Sequence, residues 1–355
     1  MASVKILHGP AIDTLMVSRR VVLREGLNSD LEKLKLQAQE TGSARFDLGG
    51  ENSEVRRKGR GPYAFTLVNE SRGIEIQIKK VEGWLSSHQR YSVGVPELYV
   101  IFRSRACPNL SENLEYVERV VLELARSHAD IESEILSRVD VCVDFVPETD
   151  FASLGLRGWS CRMKGGKYES KEYGTPSRFS GYWFRSGDMV TRLYDKPYEL
   201  NVTKNPARQD WFERWMRSGW DGKSQVLRYE VELRRSVLHD LKVDTFADFQ
   251  QKFSGIWNWS LDRCVPVLND VPVPEWSAFR RPDTETLELR RRVVCPKEDT
   301  KKYREIAREF ARIGWWYRID SVQKWRNFLR RAESMNWVGS VADLIKFQRE
   351  GGGCK

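Results

Sequence analysis

Residues 138–145, 192–196 and 227–234 alternate charged or phenolic side chains with apolar ones at a spacing of two. Because side chains leave a strand on opposite faces in turn, this spacing predicts three β-strands, each with one polar and one buried face. In the first, Arg138, Asp140 and Asp144 share a side, backed by Val139, Val141, Val143 and Phe145. The second groups Arg192, Tyr194 and Lys196 opposite Leu193. The third groups Arg228, Glu230, Glu232 and Arg234 opposite Leu227, Tyr229, Val231 and Leu233. One sheet built from them would carry carboxylates, cations and a tyrosine on a single face.

Similar patterning predicts further strands at 11–17, 73–79 and 97–104, and a hairpin from 181 to 196 turning at Ser186-Gly187-Asp188. Ser29-x-x-Glu32 reads as a capping box opening a helix to about Gln39, and 41–61 as a loop or hairpin. Helical spacing of Leu114, Val117, Val121 and Leu124 predicts a helix over 111–128. Asn205-Pro206 predicts a helix start, as does Thr245-x-x-Asp248 before Phe246, Phe249, Phe253 and Trp257. No internal repeat is visible. Strands followed by helices predict an α+β fold: an antiparallel sheet with helices on one face, then a C-terminal helical region. The expected division is a domain over 1–264, a proline-rich linker or irregular wrap over 265–285, and a basic helical region over 286–355.

With 355 residues the chain can bury a sizeable core. No apolar run approaches a membrane span, the start lacks a signal peptide's apolar core, and the six cysteines form no Cys-x-x-Cys pair. Those features predict a cytoplasmic protein without membrane contact, zinc ribbon or disulfide framework. The formal net charge is +9, and residues 286–355 hold 17 Lys/Arg against 9 Asp/Glu. A basic, aromatic terminal region points to a polyanion, most simply nucleic acid.

The chemistry-bearing residues lie on the polar strand faces. Asp140, Asp144, Glu230 and Glu232 are candidate ligands for Mg²⁺ or Mn²⁺, hard ions that take oxygen donors, with Asp140 and Glu230 central in their strands. The competing reading is an ion-pair network with Arg138, Arg228 and Arg234. Tyr194 is a candidate nucleophile beside two cations, Arg192 and Lys196, and Tyr198 is its rival. The four histidines are isolated in sequence, and no phosphate-cradling Gly-x-x-x-x-Gly-Lys-Ser/Thr loop is present.

Arg138-Val-Asp140-Val-Cys-Val-Asp144, then Arg192-Leu-Tyr194-Asp-Lys196-Pro-Tyr-Glu199, then Arg228-Tyr-Glu230-Val-Glu-Leu-Arg234 resembles the replication initiation factor family. These are rolling-circle initiators of plasmids and filamentous-type phages. The similarity covers roughly 135–262. It implies a relaxase-like nicking-domain fold and a metal-dependent nicking-joining endonuclease, with acidic residues in place of a histidine pair. It also implies a tyrosine nucleophile, which on motif position falls on Tyr194. The implied partner is replicon origin DNA, single-stranded or hairpin at the nick and duplex nearby, and a host helicase is a further expected partner. Tyr194 would leave a 5′-phosphotyrosine and a free 3′-hydroxyl, with Lys196 and Arg192 offsetting phosphate charge.

Two other functions remain compatible: a mobilisation relaxase acting at a transfer origin, and a non-catalytic DNA-binding regulator on the same scaffold. In the basic C-terminal region, Lys301, Lys302 and Arg308 fall on one expected helix and Arg326, Arg330 and Arg331 on the next. These are the candidate contacts to duplex phosphates.

Overall fold

The computed structural model describes residues 4–80, 95–147, 159–163, 169–175, 178–205, 207–268, 271–272, 274–282 and 287. The chain divides into two compact units, 1–290 and 291–355. The second unit, with Lys301, Lys302, Arg308, Arg326, Arg330 and Arg331, lies outside the described residues. The proline-rich stretch expected as linker or wrap falls within the first unit. It contributes β13 (Cys264–Leu268) and β14 (Val271–Pro272), and buries Trp276 and Phe279 in the core.

An eleven-stranded antiparallel sheet dominates the first unit, giving the expected α+β architecture. Its first half holds β1 (Lys5–Arg19), β2 (Arg45–Leu48), β3 (Glu51–Val55), β4 (Phe65–Asn69), β5 (Ile74–Ile78) and β6 (Leu98–Phe102). Its second half holds β7 (Ile135–Val146), β9 (Glu169–Thr175), β10 (Arg178–Ser186), β11 (Met189–Asp195) and β12 (Leu227–Arg234). The spatial order is β2-β3-β4-β5-β6-β1-β7-β12-β11-β10-β9. A separate three-stranded sheet joins β14, β13 and β8 (Trp159–Met163).

That order contains a repetition. A lead strand, β1, is followed by the meander β3-β4-β5-β6, whose last strand returns beside it; β7 and β9-β10-β11-β12 do the same. The two lead strands pair antiparallel, so the halves are related by an approximate two-fold axis between them. The sequence carries no trace of this, because a strand pattern constrains polarity and not identity.

Opposed residues share a face, so the pairing register assembles the polar positions. Asp140 stands opposite Glu232, Cys142 opposite Glu230, and Asp144 opposite Arg228; Arg192 stands opposite Glu230. The other face buries Val139, Val141, Val143, Tyr229, Val231 and Leu193. It joins the main core with residues from α1 (Leu27–Thr41), α2 (Leu110–Leu124), α5 (Arg235–Asp240), α6 (Phe246–Gln251) and α7 (Phe253–Arg263).

Helices do not keep to that face alone. α3 (Lys196–Val202) and α4 (Arg208–Arg217) form a second apolar cluster around Trp211, Trp215, Trp220 and Leu200, and α4 reaches the polar face. There the Trp215 indole donates to Asp144, and the Arg228 guanidinium stacks on Trp211 with its carbon 4.3 Å from the ring centre. The sequence hid this because Trp211 and Trp215 read equally well as ordinary core.

Local starts and stops follow backbone chemistry. The expected capping box at Ser29 does not form: α1 begins at Leu27 after Gly26, whose φ is 79°, and burial of Leu27 and Leu31 draws its first turn into the core. The box at Thr245 and Asp248 does form, but the helix it opens ends at Gln251 and α7 restarts at Phe253. Among the described residues, no helix is long and apolar enough to cross a membrane.

Candidate active site

The two-residue hairpin turn between β10 and β11 fixes the register that puts Tyr194 opposite Gly181 on one side and Arg228 on the other. An alanine methyl at Gly181 would stand 2.4 Å from the Tyr194 Cβ and 2.7 Å from the Leu193 carbonyl oxygen. The glycine therefore leaves the space in which the tyrosine is seated.

β11 ends at Asp195, so Lys196 is the first residue of α3 rather than the last of the strand. Asp195 caps that helix by accepting from the Tyr198 backbone N–H at 2.8 Å, and Pro197 sits in the first turn where its missing N–H costs nothing. The change of element still turns Lys196 inward: its ammonium donates to the Tyr194 hydroxyl at 3.4 Å and pairs with Glu199 at 2.8 Å.

Tyr194, half-buried, donates its hydroxyl hydrogen to Glu230 Oε2 at 2.8 Å. Burial, reinforced by the adjacent Glu230 carboxylate, pushes the phenol well above its ordinary value. It is therefore held as a neutral phenol, and ionising it requires a base in contact. Glu230 is that contact. The sequence marked Glu230 only as a metal ligand; its role beside the tyrosine emerges from the β11–β12 register.

The carboxylates divide into two kinds. Asp144 is fully buried and saturated: Arg228 donates to both oxygens at 2.6 and 2.8 Å, and Trp215 adds a bond at 2.9 Å. Burial alone would raise its pKa, but the Arg228 charge holds it below the usual carboxylate range. Arg228 also reaches Asp13 on β1 at 2.5 Å. Glu232 is likewise caged by Arg192 at 2.5 Å, Arg138 at 2.9 Å and Arg234 at 2.5 Å. Against burial, which would raise it, these guanidiniums hold it low. Asp144 and Glu232 are thus spoken for by arginines, as the ion-pair reading expected, and neither borders the cavity described next.

Asp140 and Glu230 do border it, together with Tyr194, Lys196, Tyr198 and Arg192. The cavity has a volume of about 530 Å³. Asp140 is held by Arg138 at 2.7 and 2.5 Å. Burial pushes its carboxyl up to about 7; Arg138 opposes this, while Glu230 and Glu232 add to it. Tyr198 shares the wall from the first turn of α3, so the fold brings both candidate tyrosines to one cavity. Asp13, Thr14 and Arg103 enter from the first half of the sheet. Residues so far apart in the chain leave no local pattern that would have joined them to the site.

Among the described residues, no group of three or more His, Cys, Asp or Glu side chains is arranged to hold a metal ion. Of the four candidate carboxylates, the two that border the cavity are Asp140 and Glu230, each with one arginine partner, Arg138 and Arg192 respectively. Such a pair of hard donors suits Mg²⁺ or Mn²⁺, which are commonly bound through one or two carboxylates with water completing the shell. A divalent charge would also oppose the rise in the Asp140 pKa that burial causes and Glu230 and Glu232 add to. His8 packs edge-on to Trp211 and does not border this cavity, so it stands outside this donor set.

Comparison with family models, with curated proteins and with solved structures found no match to this chain.

Proposed function

We propose that the chain is a nicking-joining endonuclease acting on one DNA strand at a replicon origin, in the manner of a rolling-circle initiator. The observation that carries this reading is the Tyr194 hydroxyl. It is bonded to a carboxylate and approached by an ammonium in a cavity open to a phosphodiester.

The Tyr194 oxygen attacks phosphorus and the phenolic proton passes to Glu230. The phosphorus–O3′ bond breaks, and the leaving 3′-oxygen takes a proton from solvent. The products are a 5′-phosphotyrosine and a 3′-hydroxyl, and reversal rejoins the strand with no ATP. Arg192 and Lys196 offset the charge gathered on the phosphoryl oxygens, as preorganised cations do. A divalent ion held by Asp140 and Glu230 would supply Lewis-acid polarisation of the phosphate.

The test is incubation with single-stranded origin DNA and Mn²⁺ or Mg²⁺, followed by denaturing gels. Wild type and Tyr198→Phe should form a covalent adduct and Tyr194→Phe should not. An adduct that persists in Tyr194→Phe refutes the assignment. A mobilisation relaxase would give the same adduct at a transfer origin, so mapping the cut end separates the two.

The closed ion pairs support a second reading, a DNA-binding regulator that performs no chemistry. All four carboxylates already have arginine partners, as a structural network requires. Strand binding unchanged by EDTA, without any adduct, would select it.

A further inference from the structure

The loop between β3 and β4 carries the run Arg56-Arg57-Lys58-Gly59-Arg60 and closes tightly on itself. The backbones of Arg60 and Tyr63 exchange hydrogen bonds at 2.9 and 3.0 Å. Gly59 lies so close to the returning chain that a Cβ there would stand 2.1 Å from the Tyr63 carbonyl oxygen. This packing fixes the basic run around a cavity of about 700 Å³ on the first half of the sheet.

Five cations border that cavity: Arg56, Arg57, Lys58, Arg60 and Arg103. Three carboxylates offset part of their charge. Glu54 and Glu70 hold Arg56 at 2.8 and 2.6 Å, and Glu75 holds Arg103 at 2.5 Å and Arg60 at 3.6 Å. Among the described residues, no ion pair engages Arg57 or Lys58, and both are exposed. The cavity therefore has an excess of positive charge. Its floor includes Thr66, 2 % exposed, whose Oγ1 has no hydrogen-bond partner. A buried hydroxyl left unpaired is unfavourable, so an oxygen-bearing ligand is favoured there.

Arg103 borders both this cavity and the one at Tyr194. The two therefore adjoin on the polar face of the same sheet. Six strand-to-strand steps separate β4 from β11, about 29 Å at the usual spacing. A strand with a stacked rise of about 3.4 Å would cover that in roughly eight or nine nucleotides.

We propose that the cavity beneath the β3–β4 loop is a second phosphate-backbone site, gripping the nucleic-acid strand that is cut at Tyr194 at a distance of several nucleotides. The proposal rests on the nicking reading only for the position of the cut. The half of the sheet that lacks the tyrosine contributes affinity, and the half that carries it contributes chemistry.

The test uses the full chain carrying Tyr194→Phe, so that binding is read without cleavage, with and without Arg57→Gln plus Lys58→Gln. Both of those positions are exposed and unpaired, which spares the fold. The probes are labelled oligothymidylates of about 20 and about 5 nucleotides. Loss of the two cations should weaken the long probe about tenfold and lower its salt slope by about 1.4, leaving the short probe unchanged. Thr66→Val should weaken the long probe in the same sense. Equal affinity of the variant for the long probe overturns the proposal, as does an equal loss for both lengths. Full displacement of the long probe by millimolar inorganic phosphate would mean a small-anion site only, and overturns it too. If the parent chain forms no adduct with origin DNA while the length-dependent loss holds, the nicking reading fails and the strand site stands.

Discussion

Asp140 is predicted to weaken the folded state in order to serve the site, and Asp140→Asn exposes this. Its carboxyl titrates from 3.8 in the ordinary case to about 7 in the fold. A raised folded-state pKa means that the group's contribution is fully present below the unfolded value and is lost as pH rises through about 7. At 1.36 kcal/mol per unit, the ionised carboxylate costs up to roughly 4 kcal/mol near pH 8, of which about 2 is recovered on going to pH 5.5. An asparagine has the shape of the neutral form and carries no such penalty. Arg138 is not orphaned by the change, because Glu232 remains 2.9 Å away. Urea denaturation in EDTA should therefore show Asp140→Asn more stable than wild type near pH 8, with the gap narrowing by about 2 kcal/mol near pH 5.5. Taking the difference between the two proteins removes the opposite trend expected from His8, whose pKa burial lowers. Saturating Mn²⁺ near pH 8 should raise the stability of wild type by a few kcal/mol and leave the variant unmoved. A variant less stable than wild type near pH 8, or a gap that does not change with pH, would refute the reasoning.

Three further outcomes are expected, the first two from the geometry and the third from the basic C-terminal sequence. Asp144→Ala leaves the fully buried Arg228 with Asp13 as its one carboxylate partner, and should lower the unfolding free energy by about 3–5 kcal/mol in denaturant titrations. Gly181→Ala should displace Tyr194 and abolish the adduct while circular dichroism stays unchanged, since the added methyl meets the tyrosine's own Cβ. Replacing Arg326, Arg330 and Arg331 by Gln should weaken duplex binding and flatten its salt dependence, with adduct formation on a short single strand preserved.

β7 and β12 were legible in the sequence because one face of each is apolar without interruption, whereas Thr191 and Asp195 interrupt the corresponding face of β11. Val139, Val141 and Val143 set the phase of β7, and that phase alone places Asp140 and Asp144 on the other side. The fate of each carboxylate was not legible. Asp140 and Asp144 lie four residues apart on one strand, yet one borders a cavity and the other is locked by Arg228 and Trp215. That difference depends on which residue of β12 stands opposite and on a helix arriving some seventy residues later. α3 did carry a local signal in the Asp195 cap and Pro197, but the alternation running into Lys196 masked it. β4 follows a glycine- and proline-bearing loop, and its Phe65-Thr-Leu-Val-Asn69 puts apolar residues on both faces, so it lacks the strict alternation of Ile74-Glu-Ile-Gln-Ile78 in β5.

The pairing of β1 with β7 makes the two halves inseparable, although each has the outline of a complete sheet. A fragment beginning at β7 would retain the tyrosine, the lysine and all four acidic side chains. It would lose Asp13, so Arg228 would keep one of its two carboxylate partners, and the lead strand would become an open edge with unpaired amides. Splitting the gene at that point should therefore give aggregating fragments rather than a smaller folded unit carrying the site. Any shortened chain that keeps the site would have to be trimmed from the far rims, β2 or β9, where the sheet already ends.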